Sequence, residues 1–115
     1  MERVECINKV ELQGRIGYVS TMGVRKAYAR FSVATNYCYH DKDGNAVIET
    51  TWHYCECFEG ENISSETIAK LDKGVSVNLK GRLRNVRYID ANGVERTSTD
   101  VYVNELTILD GIAIN

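Results

Sequence analysis

Ile63-Ser64-Ser65-Glu66-Thr67-Ile68-Ala69-Lys70-Leu71-Asp72-Lys73-Gly74-Val75-Ser76-Val77-Asn78-Leu79-Lys80-Gly81-Arg82-Leu83-Arg84 changes its hydrophobic period halfway along. Up to Gly74 the pattern is helical. Ser64 is an N-cap candidate, Ile63 and Ile68 stand where a hydrophobic staple needs them, and Gly74 is a C-terminal stop. These signals predict one short helix, about 65–71. Beyond Gly74 the period becomes two: Val75, Val77, Leu79, Gly81 and Leu83 turn inward, while Asn78, Lys80, Arg82 and Arg84 turn outward. This is the longest strand the sequence predicts. A glycine inside such a strand marks a sharp bend or a close backbone approach.

Working outward, Val10, Leu12, Gly14 and Ile16 alternate with Lys9, Glu11, Gln13 and Arg15, which predicts a first strand. From Tyr28 to Asn36, Ala29, Phe31, Val33 and Thr35 oppose a more polar set. Asp41-Lys42-Asp43-Gly44-Asn45 is a turn leading into a β-rich run from Val47 to Phe58, so strands two and three form a long hairpin. After the strand at Val75–Arg84, Asp90-Ala91-Asn92-Gly93 is a second hairpin signal, and Val101 and Val103 mark the inward side of the returning strand. The order is three strands, a helix and two strands, with glycines inside strands one and four. An all-β, five-stranded Greek-key barrel of the oligonucleotide-binding (OB) type fits it, with the helix between strands 3 and 4. A two-layer α+β sandwich is the alternative.

The 115 residues, 43% hydrophobic and 26% charged, predict one domain over 1–115. Roughly two-thirds of the unfolded surface is buried at this size, enough for a core without disulfides or metal. Proline is absent, excluding a Pro-rich linker. There is no 18-residue apolar run and no signal-peptide layout at the N-terminus, so a cytoplasmic location is expected, with Cys6, Cys38, Cys55 and Cys57 as reduced thiols. The net charge of −2 excludes a uniformly basic polyanion binder, but it hides blocks. Residues 14–36 carry +4, 37–66 carry −6 and 67–90 carry +4. If the fold brings the two basic segments together they form a stripe; otherwise they are solvated strand faces.

In strand three, Trp52, Tyr54, Glu56 and Phe58 share one side, with Thr51, His53, Cys55 and Cys57 on the other. With the small side packed inward, the rings look outward, which is costly unless they meet a ligand or another subunit. Lys80, Arg82, Arg84, Val86 and Tyr88 share a parity in strand four. Flat rings stack bases and cations track phosphates, so these residue types suit a single-strand groove. The competing reading makes Trp52 and Phe58 core and Tyr39 and Tyr88 shields for hairpin tips. Chemistry has few candidates. Cys38-x-His40 and His53-x-Cys55-x-Cys57 carry ligand-type atoms, but a spacing of two is not a zinc knuckle, and small core thiols account for Cys55 and Cys57 better. No phosphate loop, nucleophile elbow or paired-carboxylate motif is present; Asp41, Asp43, Glu49, Glu56 and Glu59 read as solvated. No enzyme activity, cofactor or metal is expected.

Asn8-Lys9-Val10, Leu12, Gly14-Arg15-Ile16-Gly17 and Phe31-Ser32-Val33-Ala34-Thr35-Asn36 resemble the start of the bacterial single-stranded DNA-binding protein family. Asp41-Lys42-Asp43-Gly44, Thr51-Trp52-His53, Phe58, Lys73-Gly74 and Gly81-Arg82-Leu83-Arg84 follow in the family's order, so the resemblance runs from Asn8 to about Leu109. It implies an OB-fold that binds and protects single-stranded DNA, without strong sequence preference, in replication, recombination or repair. Base stacking then falls to Tyr39, Trp52, Phe58 and Tyr88, and phosphate contacts to Lys42, Lys73, Arg84 and Arg87, with Lys80 and Arg82 added by parity. The resemblance also implies a homotetramer, a dimer of dimers, with strand one and the His53 region at subunit contacts. Tyr18-Val19-Ser20-Thr21-Met22-Gly23 replaces the family's longer acidic, Pro-containing loop, and Tyr54 and Glu59 stand where the family tends to carry bases. The chain stops at Asn115 without the family's flexible tail and acidic tip, so tail-mediated recruitment of partners is not expected. The alternative is a protein-interaction or primosomal accessory OB module with weak or lost DNA binding.

Overall fold

The computed structural model describes residues 4–23 and 26–109. Five strands, β1 (Val10–Met22), β2 (Tyr28–His40), β3 (Ala46–Phe58), β4 (Ser76–Ile89) and β5 (Glu95–Ile108), and one helix, α1 (Ser65–Ala69), follow the expected order. The strands close into a barrel in the order β1-β2-β3-β5-β4. All neighbours are antiparallel except β3 and β5. β1 makes the closure by serving two partners: Val10–Arg15 pair with β4 and Arg15–Met22 with β2. At the two crowded points of this path a side chain has no room. A Cβ on Gly14 would collide with the Ala34 carbonyl oxygen, and one on Gly81 with the Tyr102 carbonyl oxygen.

The inward parity fills the barrel with Phe31, Val33, Val77, Leu79, Val101 and Val103, all buried. Ile63, Ile68 and Leu71 join the same core from the helical segment. Ser64 Oγ caps α1 by accepting from the Thr67 backbone N–H at 3.1 Å, as the staple-and-cap pattern requires. The helix is shorter than expected, ending at Ala69. Leu71 N–H bonds the Ile68 carbonyl in a tighter turn, and Leu71 stays buried.

Both long hairpins close by the same device. Asp41 Oδ1 accepts from the backbone N–H of Asp43 and Asn45, and Asp90 Oδ1 from those of Asn92 and Val94. Three expectations need correction. β4 starts at Ser76, because Val75 is engaged in a turn to Asp72, and at 14 residues it equals β5 rather than exceeding it. Leu83 has inward parity but is 47% exposed, because β1 leaves β4 at Gly81 and the barrel interior ends there. Past that rim the Asn8 side chain continues the pairing, donating to the Leu83 carbonyl and accepting its N–H. Finally, most of Tyr18-Val19-Ser20-Thr21-Met22-Gly23, read as a replaced loop, is the end of β1 and pairs with β2.

Two predictions follow from the packing. Gly81→Ala forces backbone apart at the closure and lowers stability by about 1–3 kcal/mol in urea unfolding, the range for overpacking. An unchanged midpoint would show that the closure relaxes freely. Cys55 and Cys57 lie inside the barrel, and burial pushes their thiols up to about 12 and about 11, whereas Cys6 and Cys38 are exposed. Two thiols are expected to react rapidly with an aromatic disulfide reagent at pH 8 in the native protein, and four after unfolding.

Candidate nucleic-acid interface

The β2–β3 register sets Tyr28 opposite Phe58, Arg30 opposite Glu56, Ser32 opposite Tyr54 and Ala34 opposite Trp52. These pairs share the outward parity; the small side chains of Ser32 and Ala34 lie beside the rings of Tyr54 and Trp52, while Tyr28 meets Phe58 ring to ring. β1 supplies the third layer. A bulge between Ile16 and Val19 is anchored by the Tyr18 N–H donating to Ser32 Oγ, and it brings Gly17 beneath the Trp52 indole. A Cβ at 17 would collide with that ring. Trp52 is therefore held on one side and 53% exposed.

The parallel pairing of Glu56 with Tyr102 extends this face onto β5, and Arg82 pairs with Tyr102 across β5 and β4. Phe58 packs 4.7 Å from Tyr28 and 6.2 Å from Tyr102, centroid to centroid. Lys26 Nζ lies 5.6 Å from the Phe58 centroid, and the Arg82 and Arg84 guanidinium carbons lie 4.7 and 5.4 Å from that of Tyr102. Lys26 and Arg30 from the first basic block thus meet Arg82 and Arg84 from the second. Beside this cluster, Tyr88 shares a cavity with Tyr18, Tyr54 and Arg30.

Acids temper the positive charge. Glu56, expected to be solvated, is 9% exposed, because its Oε1 lies 3.2 Å from Arg84 Nη2 and its Oε2 accepts from the Tyr28 hydroxyl at 3.0 Å. Arg30 Nη2 stands 3.1 Å from the buried Oδ2 of Asp100, and Arg87 lies 3.6 Å from Glu95. Lys26 and Arg82 take part in none of the four ion pairs found among the described residues.

Of the residues singled out in the sequence, Trp52, Phe58, Arg82, Arg84 and Tyr88 share this outward face. Tyr39 does not. It pairs with Val47 on the opposite parity of the hairpin, where it neighbours Tyr37 at 6.0 Å. Lys42 is at the β2–β3 tip, Lys73 in the turn after α1, and Lys80 between Glu11 and Glu105 on the β1–β4–β5 face. Arg87 lies on the opposite parity of β4 from Tyr88. Tyr28 and Tyr102 escaped the sequence reading although their alternation with Ala29 and with Val101 and Val103 pointed outward; Lys26 and Tyr18 gave no such signal. His53 bonds Thr35 through Nε2 at 2.9 Å, and among the described residues no group of three His, Cys, Asp or Glu side chains is placed to hold a metal ion.

The Tyr28 hydroxyl titrates above its ordinary 10.0, first through burial and then through its hydrogen bond to Glu56 and that residue's charge. Glu56→Gln is expected to bring it back part of the way, followed by NMR titration of the Tyr28 ring. No movement would assign the whole shift to burial.

A family model described as "Single-strand binding protein family" matches residues 7–109. Single-stranded DNA-binding proteins of Neisseria meningitidis serogroup A and Xanthomonas axonopodis pv. citri are 35% and 38% identical, each over 91% of this chain. The chain covers 61% and 59% of those relatives, about three-fifths of their length. Among solved structures, a Plasmodium falciparum SSB complex with ssDNA superposes with a TM-score of 0.76 at 25% identity, covering 95% of this chain and 100% of that one. A single-stranded DNA-binding protein from Thermus aquaticus, 17% identical, has the same fold with a TM-score of 0.70 over 91% of this chain and 51% of its own.

Proposed function

The chain belongs to the single-strand binding protein family, and on that premise we propose that it binds single-stranded DNA, without strong sequence preference across most of the strand, by stacking bases and neutralising phosphates. The observation that carries this reading is the convergence of Phe58, Tyr102 and Tyr28 with Lys26, Arg82 and Arg84 on the face that also presents Trp52 and Tyr88. Rings held on one side and open on the other offer a π-face to any base, and cations within a few ångströms track the backbone between bases. Trp52, Phe58 and Tyr88 stack; Tyr102 backs Arg82 and Arg84, which with Lys26 take the first phosphates. Lys42, Lys73, Lys80 and Arg87, and Tyr39 on the far side of its hairpin, serve a strand that continues around the barrel.

The role is binding rather than catalysis, in the cytoplasm, protecting strands exposed in replication, recombination or repair. The barrel works as a homotetramer. Residues Val10–Gly14 pair with β4 on one side only, and this open edge of β1 supports strand one as a subunit contact.

Titration with oligo-dT at two salt concentrations tests the reading directly, because Trp52 is the only tryptophan. Quenching that weakens with salt is expected. Trp52→Ala or Phe58→Ala should cost about 1–3 kcal/mol for all sequences alike, and Arg82→Ala should lower the salt slope by about one. Glu56→Gln, which releases Arg84, should steepen the slope. Absence of binding in an independent assay would favour the protein-interaction module.

A further inference from the structure

The cavity beside the stacking face has features that sequence-neutral stacking does not need. It has a volume of about 420 Å³ and is lined by Tyr18, Tyr54 and Tyr88 together with Arg30, Val86, Ser98 and Asp100. The tyrosines are partly exposed, whereas Asp100 is 2% exposed. Asp100 Oδ1 accepts from Ser98 Oγ at 3.1 Å, while Oδ2 has no aligned hydrogen bond and faces Arg30 Nη2 at 3.1 Å. A buried carboxylate is tolerated only beside a compensating charge, so Asp100 and Arg30 fix each other in place. The Arg30 side chain remains 37% exposed. The result is a part-exposed guanidinium held by a buried anion in a slot that three tyrosines also line.

Resting on the single-strand reading above, we propose that this slot receives one extruded guanine, whose O6 and N7 accept from the Arg30 guanidinium while its faces lie against the tyrosine rings. Three physical points select this ligand. Asp100 already neutralises Arg30, and the slot is lined by rings, so a phosphate would lose hydration there for little Coulombic return, whereas a neutral base edge loses less. Guanine offers two adjacent acceptors matched to two N–H groups of the fork. Adenine turns an amino donor toward the guanidinium and thymine has no two adjacent acceptors, while cytosine, whose O2 and N3 are adjacent acceptors, is the base that a dC oligomer sets against guanine. Ser98, by bonding Asp100, is a positioning residue for Arg30.

The test uses the unaltered protein and a dT oligomer carrying one central dG, dA, dC or 7-deaza-dG, each compared with all-dT. The dG oligomer should bind about fivefold tighter than all-dT, the low end of a bidentate contact because Arg30 is part-exposed. The dA, dC and 7-deaza-dG oligomers should match all-dT. Arg30→Lys, which keeps the charge but not the fork, should bring the dG-to-dT ratio to one. Equal binding of all oligomers would overturn the guanine slot and leave the single-strand reading standing. A gain with dA or dC equal to that with dG, or one retained by 7-deaza-dG, would overturn it as well. Binding of none of them would overturn both.

Discussion

The closure of the barrel depends on two places where backbone meets backbone without an intervening side chain. Gly14 lies against the Ala34 carbonyl and Gly81 against the Tyr102 carbonyl. β1 can pass from β4 to β2 only because of this clearance, and that crossing lets five strands share one small core. The proposed binding face inherits the constraint. Gly81 sits on the strand that carries Arg82 and Arg84, and Tyr102, whose carbonyl it meets, turns its ring to those guanidinium groups. Close packing inside and exposed chemistry outside are therefore set by the same few residues.

Electrostatics on that face is more restrained than its basic residues imply. Glu56 and Asp100 are drawn out of water beside Arg84 and Arg30, and each ion pair couples strands that are distant in sequence. A carboxylate next to a guanidinium is a standing competitor for any phosphate, so on the proposed reading the counterions released are fewer than the arginines present. On that reading Lys26 and Arg82, which are in none of the ion pairs found among the described residues, carry the larger share of the attraction. A protein of net charge −2 can thus offer a cationic track while remaining weakly charged as a whole.

Much of this was legible in the sequence. Period-two alternation located all five strands and separated Cys55 and Cys57 from Trp52, Tyr54 and Phe58 in β3, but it left open which set was core; the structure buries the cysteines. What alternation cannot supply is which strands become neighbours. The parallel contact of Glu56 with Tyr102 brings Tyr102 to Phe58, and the Arg30–Asp100 pair spans 70 positions; neither follows from any local pattern. Glu56 looked solvated because its partners, Tyr28 and Arg84, arrive from other strands. Tyr39 shows the converse limit: family resemblance groups it with Trp52, while strand register turns it to the opposite face.

The β2–β3 ladder runs for 13 residues, but its buried residues lie toward the barrel end, and from Asn36 to Thr51 nearly every side chain is exposed. That half of the hairpin is an arm held by cross-strand hydrogen bonds, an Asp41 turn and pairwise side-chain contacts, with no core behind it. Its amide protons should exchange through local opening at a small free energy, far below that of global unfolding. A ligand lying along an arm that opens in this way would spend part of its binding energy on ordering it. A second ligand on the same arm would be spared that entropic cost, a route to cooperativity that needs no change of shape.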